Sequence, residues 1–270
     1  MSSERIAVGA RVPPMNGSGA MPLPKPPGSG SSTWATRILT RPDVHVWCVT
    51  LDVDAAELGR LRATLSPEEA TRADRFVRLR DAEHFIAARG ALRTLLGRYL
   101  RVPPGEVAFC YGAHGKPALA EEFAEREIRF NLSHSHGLAL LALARREVGI
   151  DLEFIAREVE HEQIATRFFS RSERAAFLAL PPAQRSEAFF RCWTRKEAYI
   201  KALGEGLSHP LADFDVTLVP GAPARLLATR RDAVEAARWE MVDLTPRPGY
   251  AGALVMAAAT APPEGPLPQR

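Results

Sequence analysis

The sequence predicts an α+β protein that consists of two similar halves. Each half begins with a short apolar strand, continues into a long helical segment and ends in further strands. The helical segments run from about residue 81 to 101 and from 187 to 203, and the runs after them have the apolar alternation of strands. We therefore expect half-domains over residues 41–145 and 146–260, although the two show no clear repeat in sequence.

Composition limits the classes of partner. The chain of 270 residues is 46% hydrophobic and 25% charged, as in ordinary globular proteins, and its net charge of +3 is too small to indicate nucleic-acid binding. The three cysteines are widely spaced without a C-x-x-C pair, which indicates buried free thiols in a reducing compartment. No apolar signal-peptide core is present, and the longest apolar run, Leu138–Ala144, is too short to cross a bilayer. We expect a cytoplasmic protein without membrane contacts.

The two ends of the chain differ in composition from its centre. Residues 1–40 are rich in Pro, Gly and Ser, and such a segment buries little apolar surface. Residues 261–270 are rich in proline. We expect a disordered N-terminal extension and a flexible C-terminal tail.

The first half contains a helix start and a group of arginines. Ser66 is a candidate N-cap, with Pro67 at the first helical position and Glu69 completing a capping box. In the long helix that follows, Arg89 and Arg93 lie four residues apart and share a face. Periodicity favours a solvated face for them, and a phosphate-binding edge is the alternative.

Two polar turns follow this helix. Tyr111–Leu119 is punctuated by glycines and contains Lys116, which is compatible with an ordinary surface turn or with close approach to a ligand. Ile128–Gly137 reads as a strand that leads into a turn with two histidines. These histidines lack a third ligand for zinc nearby, so phosphate hydrogen bonding by Ser133 and His134 is the better interpretation.

Two carboxylates share one face of the strand Val148–Phe154. Because strand side chains alternate, Asp151 and Glu153 point away from the apolar face. Such a pair is compatible with an exposed edge. A magnesium site is the alternative, since Mg²⁺ takes oxygen ligands and is held by a few carboxylates together with substrate phosphates.

The second long helix places an aromatic residue, an acid and an amine in one row. Trp193, Glu197 and Lys201 are each four residues apart, and Gly204 ends the helix. The spacing alone is equally compatible with an exposed Glu–Lys pair. Only four of the 35 basic residues are lysines, and three of them lie in segments with possible chemistry: Lys116, Lys196 and Lys201.

Taken together, these segments resemble the Sfp-type 4′-phosphopantetheinyl transferases over about residues 45–220. The specific pair is Gly149–Glu153 followed, after about 40 residues, by Trp193–Leu207. Three supporting segments occur in the order of the family: Gly115–Pro117, Asn131–Ser135 and Arg167–Ser170.

The resemblance implies two similar halves related by pseudo-two-fold symmetry, with the active site between them. It implies transfer of the 4′-phosphopantetheine arm of coenzyme A to a serine of an apo carrier protein, with release of adenosine 3′,5′-bisphosphate. The implied partners are acyl or peptidyl carriers of polyketide, nonribosomal peptide or fatty-acid synthases. The implied oligomeric state is a monomer.

Roles for individual residues follow from the same resemblance. Asp151, Glu153 and Glu197 match the ligands of Mg²⁺, for which Mn²⁺ is a possible substitute. Glu197 also matches the group that removes the serine proton, and Lys201 matches the group that stabilises the departing phosphate. The remaining matches are to residues that contact coenzyme A: Arg89, Lys116, Pro117, Ser133, His134 and Lys201. Glu173 falls at an acidic position of the family, but its capping box with Ser170 accounts for it.

Two other functions are compatible with part of the sequence. A catalytically silent homologue that binds coenzyme A or a carrier would be expected to lack a metal carboxylate or the lysine, and this chain has all of them. A magnesium-dependent phosphohydrolase would account for the carboxylates but leaves Gly115–Pro117 and Trp193–Leu207 unexplained.

Overall fold

The computed structural model of the chain describes residues 22–24, 34–155, 160–206 and 209–259. The predicted tail over 261–270, most of the predicted extension over 1–40, and Leu207 lie outside the described residues. One boundary differs from the prediction. Residues 35–41 form a strand and Trp34 is buried, because the Pro/Gly/Ser-rich composition stops before them and side chains with strand preference begin.

Four antiparallel strands form the sheet of the first half, in the order β1-β2-β6-β5. A long helix packs on this sheet, and β3 and β4 pair separately. The elements are β1 (Ala35–Arg41), β2 (Val44–Thr50), α1 (Ala55–Arg62), α2 (Pro67–Ala73), α3 (Leu79–Leu100), β3 (Phe109–Tyr111), β4 (Pro117–Leu119), β5 (Arg129–Ser135) and β6 (Leu138–Ala144).

A three-stranded antiparallel sheet, β10-β11-β7, forms the second half together with another long helix. Here β8 and β9 pair separately. The elements are β7 (Val148–Phe154), α4 (His161–Phe168), α5 (Arg171–Ala179), α6 (Pro182–Leu203), β8 (Phe214–Val216), β9 (Leu226–Thr229), β10 (Trp239–Leu244) and β11 (Tyr250–Ala257).

The two halves share one element order and one pairing scheme. In each, a first strand is followed by three helices, a two-stranded ladder and two final strands. The first strand pairs with the last strand, which pairs with the one before it, so that β2-β6-β5 corresponds to β7-β11-β10. The third helix has 22 residues in both halves. The predicted α+β class is confirmed, and β1 is an addition to the first half.

Three apolar clusters form the core. One lies between α3 and the first sheet, a second lies around α6 and the second sheet, and the third lies between the two sheets. Cys48 and Cys192 are buried as predicted, but Cys110 is exposed because the short strand β3 leaves its side chain at the surface. Within the described ranges, no helix combines the length and apolarity needed to cross a bilayer.

Both predicted capping boxes are present. Ser66 caps α2 with Glu69, and Ser170 caps α5 with Glu173. The buried Glu173 carboxylate also accepts the Val216 N–H and contacts the Lys196 ammonium at 2.8 Å. These partners assign Glu173 a structural role.

Candidate active site

Helix α6 lies directly against strand β7 because residue 149 is glycine. A Cβ at Gly149 would stand 2.1 Å from the Ala198 carbonyl oxygen and 2.3 Å from the Ala202 nitrogen. No side chain fits in this space, so the backbones of helix and strand are in contact. The close approach places the row that contains Glu197 and Lys201 over the carboxylates of β7.

The Lys201 ammonium binds Asp151. Its Nζ lies 2.6 Å from Asp151 Oδ1 and 3.2 Å from the Ser133 hydroxyl. The same hydroxyl donates to Asp151 Oδ1 at 2.8 Å and accepts the Leu152 N–H at 3.3 Å. Among the described residues, Lys201 forms its ion pair with Asp151 and not with Glu197, and the Ser133 hydroxyl is occupied by protein partners.

Asp151 retains one oxygen that could bind a cation. The residue is 3% exposed, and its Oδ2 has no hydrogen-bond partner within the part of the chain that the structure describes. Buried polar atoms are nearly always paired, so such an oxygen requires an explanation. A carboxylate oxygen of this kind is the donor that Mg²⁺ prefers.

Glu153 and Glu197 lie close enough to Asp151 to repel it. Burial raises the pKa of Glu197 to about 7, with further increases from Asp151 and Glu153 and an opposing effect from Lys201. Burial and the Asp151 charge also raise the pKa of Glu153, although the Ser135 hydroxyl donates to it at 3.1 Å. Three desolvated acids in mutual repulsion favour a bound cation.

The predicted metal site is not preassembled. Over residues 34–155, 160–206 and 209–259, no three His, Cys, Asp or Glu side chains are placed so that together they could hold a metal ion. The donor set, three carboxylates with one unpaired oxygen, fits Mg²⁺. The geometry has the Lys201 ammonium in contact with one of these carboxylates.

Lys116 and Pro117 line a pocket at the C-terminal end of α6. The pocket has a volume of about 210 Å³ and is bordered by Phe130, Leu203 and Gly204 among others. The Lys116 ammonium donates to the carbonyls of Val148 and Ala202, both at 3.2 Å. Burial lowers the pKa of this lysine. Lys116 belongs to the first half, and its ammonium therefore links that half to β7 and α6 of the second half.

His134 is exposed near the C-terminal end of β5. Alternation along the strand turns its side chain to the opposite face from Ser133. Desolvation lowers the pKa of His134, and the neighbouring positive charges of His84 and Lys201 lower it further. The imidazole is thus within electrostatic range of Lys201, at the same end of β5.

Arg89 is bound within the first half. Its guanidinium forms an ion pair with Glu69, donates to the Tyr111 hydroxyl at 2.9 Å and lies 4.2 Å from the centroid of the Phe109 ring. Among the described residues it shares no hydrogen bond or ion pair with the group around Asp151. Its predicted contact with coenzyme A stays a prediction.

His84 is a residue near the site that the sequence did not indicate. Its Nε2 lies 2.9 Å from Asp52 Oδ1, and Arg80 lies 3.5 Å from the same oxygen. The hydrogen bond from His84 lowers the pKa of Asp52, and the charge of Arg80 acts in the same direction. No sequence signal could identify this cluster, since Asp52 and His84 are 32 positions apart and follow no motif.

Comparisons with known proteins decide the family. Residues 52–146 match the 4′-phosphopantetheinyl transferase, N-terminal family, and residues 147–257 match the 4′-phosphopantetheinyl transferase superfamily. The 4′-phosphopantetheinyl transferase HetI of Nostoc sp. (strain PCC 7120) is 40% identical over 236 residues, which are 87% of this chain and 93% of that protein. The chain belongs to the 4′-phosphopantetheinyl transferase family.

Other transferases of this family match a shorter part of the chain. A putative 4′-phosphopantetheinyl transferase of Synechocystis sp. is 36% identical over 62% of this chain and 67% of its own length. The 4′-phosphopantetheinyl transferase Sfp of Bacillus subtilis (strain 168) is 31% identical over 60% of this chain and 70% of its own length. The resemblance to Sfp-like transferases is confirmed, and the protein is an enzyme of the class that modifies carrier proteins with phosphopantetheine. The boundary between the two family matches falls between β6 and β7, where the element order repeats.

Proposed function

We propose that the enzyme transfers the 4′-phosphopantetheine arm of coenzyme A to a serine of an apo acyl or peptidyl carrier protein. The observation that supports this most directly is the contact of Lys201 with Asp151 beside two further desolvated carboxylates. The carriers are those of polyketide, nonribosomal peptide or fatty-acid synthases, and the enzyme acts as a monomer. The second product is adenosine 3′,5′-bisphosphate.

Asp151, Glu153 and Glu197 would hold Mg²⁺, with Mn²⁺ as a substitute that accepts the same oxygen ligands. The unpaired Oδ2 of Asp151 and the mutual repulsion of the acids support this assignment. When bound, the metal supplies charge neutralisation for the pyrophosphate and fixes its orientation. The contact of α6 with β7 brings Glu197 near Asp151 and Glu153, and the three carboxylates would have to close further around the metal.

Glu197 and Lys201 act on the two sides of the transferred phosphorus. The Glu197 carboxylate accepts the serine proton as the new bond from the serine oxygen to phosphorus forms. The bond that breaks joins this phosphorus to the oxygen of the departing adenosine bisphosphate. The Lys201 ammonium donates a hydrogen bond to that oxygen and stabilises its charge.

The remaining residues bind coenzyme A. Lys116 and His134 contact its phosphates, and the backbone at Lys116 and Pro117 borders the adenine in the 210 Å³ pocket. Ser133 makes a weaker phosphate contact, since its hydroxyl already has three protein partners. Arg89 contacts the 3′-phosphate after release from Glu69.

Intact-mass spectrometry of apo carrier proteins incubated with the enzyme, coenzyme A and Mg²⁺ tests the proposal. The expected result is a mass gain of one phosphopantetheine arm per carrier. The gain is lost when EDTA is added, returns with excess Mg²⁺ or Mn²⁺, and is absent from a carrier whose acceptor serine is replaced by alanine. The absence of any gain across acyl and peptidyl carriers would contradict the proposed function.

A further inference from the structure

Ser135, the last residue of β5, joins two groups of β7 through its hydroxyl. The Ser135 Oγ accepts the Phe154 N–H at 3.1 Å and donates to Glu153 Oε2 at 3.1 Å. A serine hydroxyl has one proton and two lone pairs, so both bonds form at once. Its third contact, with His136 Nδ1, is longer at 3.5 Å. The hydroxyl is therefore held by the backbone of β7 and directed at a carboxylate of the same strand.

The same arrangement occurs two residues earlier on both strands. The Ser133 hydroxyl accepts the Leu152 N–H and donates to Asp151. The spacing of the two hydroxyls along β5 thus matches the spacing of the two carboxylates along β7. Where β7 offers no carboxylate, Asn131 accepts the Ile150 N–H with an amide instead. Hydroxyls therefore stand at the positions of β5 that face both an N–H and a carboxylate.

The turn after Ser135 fixes the position of the hydroxyl. His136 has a positive φ of 51°, and its ring packs on the Phe154 ring with 4.4 Å between the centroids. On the other side of the turn, the Gly137 carbonyl accepts the Leu51 N–H at 2.9 Å. Contacts with both halves of the protein thus hold the end of β5.

Glu153 depends on this hydroxyl for its orientation. The charge of Asp151 acts unfavourably on the Glu153 carboxylate, and the Lys201 ammonium forms its ion pair with Asp151. Over the described residues, Ser135 is the one hydrogen-bond donor to Glu153. A repelled glutamate that can rotate about three bonds would turn toward solvent unless a donor retained it.

We infer that Ser135 is a positioning residue for the divalent-cation site, because its hydroxyl holds the Glu153 carboxylate beside Asp151. This inference rests on the proposed function, which assigns both carboxylates to Mg²⁺. Hydrogen bonds to ligating carboxylates orient them toward a metal, and removal of such bonds weakens metal binding. Ser135 acts through Glu153 and not on the reacting atoms.

The first test is Mn²⁺ binding to the full chain without substrates, measured by electron paramagnetic resonance of the free ion. Ser135→Ala should raise the Mn²⁺ dissociation constant about tenfold, as expected when a partner of a metal ligand is removed. The matched control is Ser172→Ala, because the Ser172 hydroxyl on α5 donates to Asp215 of β8 at 2.9 Å. Equal affinity of Ser135→Ala and wild type, or an equal loss in the control, would overturn the inference.

Ser135→Ala also leaves the Phe154 N–H without its acceptor, so circular dichroism has to show that the variant is folded during the titration. Ser135→Cys is the second variant, since a thiol is a weaker donor and acceptor than a hydroxyl. It should also bind Mn²⁺ less tightly than wild type. Wild-type affinity in a folded Ser135→Cys protein would contradict the positioning role.

A double-mutant cycle with Glu153→Asp separates this role from a general effect on the cleft. The shorter aspartate keeps the charge but withdraws it from the hydroxyl. In this background Ser135→Ala should weaken Mn²⁺ binding by no more than about twofold, because the hydroxyl acts through the Glu153 carboxylate. An undiminished tenfold loss in the Glu153→Asp background would refute the inference.

The transfer assay distinguishes the inference from the proposed function. Ser135→Ala should raise the KM for Mg²⁺ more than it lowers kcat at saturating Mg²⁺, and a loss confined to kcat would speak against the positioning role. Where the wild type binds Mn²⁺ more tightly than Ser135→Ala but modifies no carrier, the positioning role is confirmed and the proposed function fails. A wild-type protein that binds no Mn²⁺ would overturn both.

Discussion

Glu197 and Lys201 lie one helical turn apart but have different environments. Lys201 shares a hydrogen-bonded cluster with Asp151 and Ser133, whereas the Glu197 carboxylate is desolvated and accepts no hydrogen bond from any described residue. The contact of α6 with β7 gives each group a neighbour that the helix alone could not supply. Because its pKa is raised, Glu197 is the better candidate of the two for proton transfer.

Glu197→Gln should reduce phosphopantetheine transfer by at least about a hundredfold, because it removes both the proposed metal ligand and the proposed base. The melting temperature in EDTA should rise, since a desolvated charge repelled by Asp151 is removed. Turnover measured by carrier mass and thermal unfolding measured by circular dichroism check the two effects. Glu187→Gln, an exposed position on the same helix, is the control and should change neither quantity.

Lys196 has a structural role despite its position beside Glu197. The side chain is fully buried, and its ammonium contacts Glu173 at 2.8 Å and the carbonyls of Leu211 and Phe214 at 2.7 Å. Lys196→Met should lower the free energy of unfolding by about 3–5 kcal/mol, because it leaves the Glu173 charge buried without its cationic partner. Urea unfolding checks the value.

The matched comparison for Lys196→Met is the double variant with Glu173→Gln. It should recover part of the lost stability, since neither charge remains buried. Arg171→Met, at an exposed position on α5, should have little effect. A single variant as stable as the wild type would show that the pair contributes nothing to folding.

The sequence predicted a role for the Trp193–Leu207 segment but did not separate its two lysines. Lys196 and Lys201 are five residues apart, so the directions of their side chains differ by more than a quarter-turn around α6. Lys196 contacts buried groups in the core of the second half, and Lys201 contacts Asp151 in the cleft. Helical spacing grouped Glu197 with Lys201 correctly. The sequence could not predict the ion pair of Lys201 with Asp151, because this contact depends on which strand packs against α6 in the tertiary structure.

Among elements, the contact between α6 and β7 depends on one position. Gly149→Ala would place a Cβ within 2.1 Å of the Ala198 carbonyl oxygen, so the helix has to move away from the strand. We expect a loss of several kcal/mol in the free energy of unfolding, by analogy with overpacked cores, and a large loss of transfer activity. Denaturant unfolding and carrier mass measure these. Gly59→Ala in α1, where no atom lies within 4 Å, should instead stabilise the protein by about 0.5–1 kcal/mol.

Helices α2 and α3 are joined through Glu69. Burial alone would raise the pKa of Glu69, but hydrogen bonds from Arg93, the Ser66 N–H and Arg89 outweigh it and lower the pKa. A lowered pKa in the folded state stabilises the fold at pH values above the unfolded pKa of about 4.3, and this stabilisation disappears as the pH falls through the folded pKa.

Glu69→Gln should therefore lower the melting temperature at pH 7, and its effect should shrink as the pH falls below the unfolded pKa of about 4.3 and through the lower folded pKa. Thermal unfolding followed at several pH values between these limits checks the prediction. Glu122→Gln, at an exposed position after β4, is the control. A constant difference between Glu69→Gln and wild type across this range would contradict the role of ionisation.

At the scale of the whole molecule, polar side chains of β5 join the two halves. Asn131, Ser133 and Ser135 alternate along β5, and their side-chain oxygens accept the N–H groups of Ile150, Leu152 and Phe154 on β7 at 2.8, 3.3 and 3.1 Å. Side chains thus take the place of a backbone ladder between the sheets. The alternation of β5 was predictable, but this use of it was not, because it requires the position of the second sheet.

Asn131→Ala should cost about 1–3 kcal/mol in the free energy of unfolding, because the buried Ile150 N–H loses its acceptor. Urea unfolding measures this, with Thr36→Ala at an exposed position of β1 as the control. Transfer activity should fall as well, since β5 and β7 carry the Ser133 and Asp151 parts of the cleft. A variant with unchanged stability would show that apolar packing alone holds the two sheets together.

The Lys201–Asp151 contact means that the resting cleft contains its own counter-ion. If Asp151 held a divalent cation, the Lys201 ammonium would give up its contact with this carboxylate, so part of the added positive charge would be balanced by the charge displaced. The ammonium would remain attached to α6, one turn from Glu197, and would be available to an anion. Ion exchange at a single aspartate would thus link occupation of the cleft to the availability of its lysine.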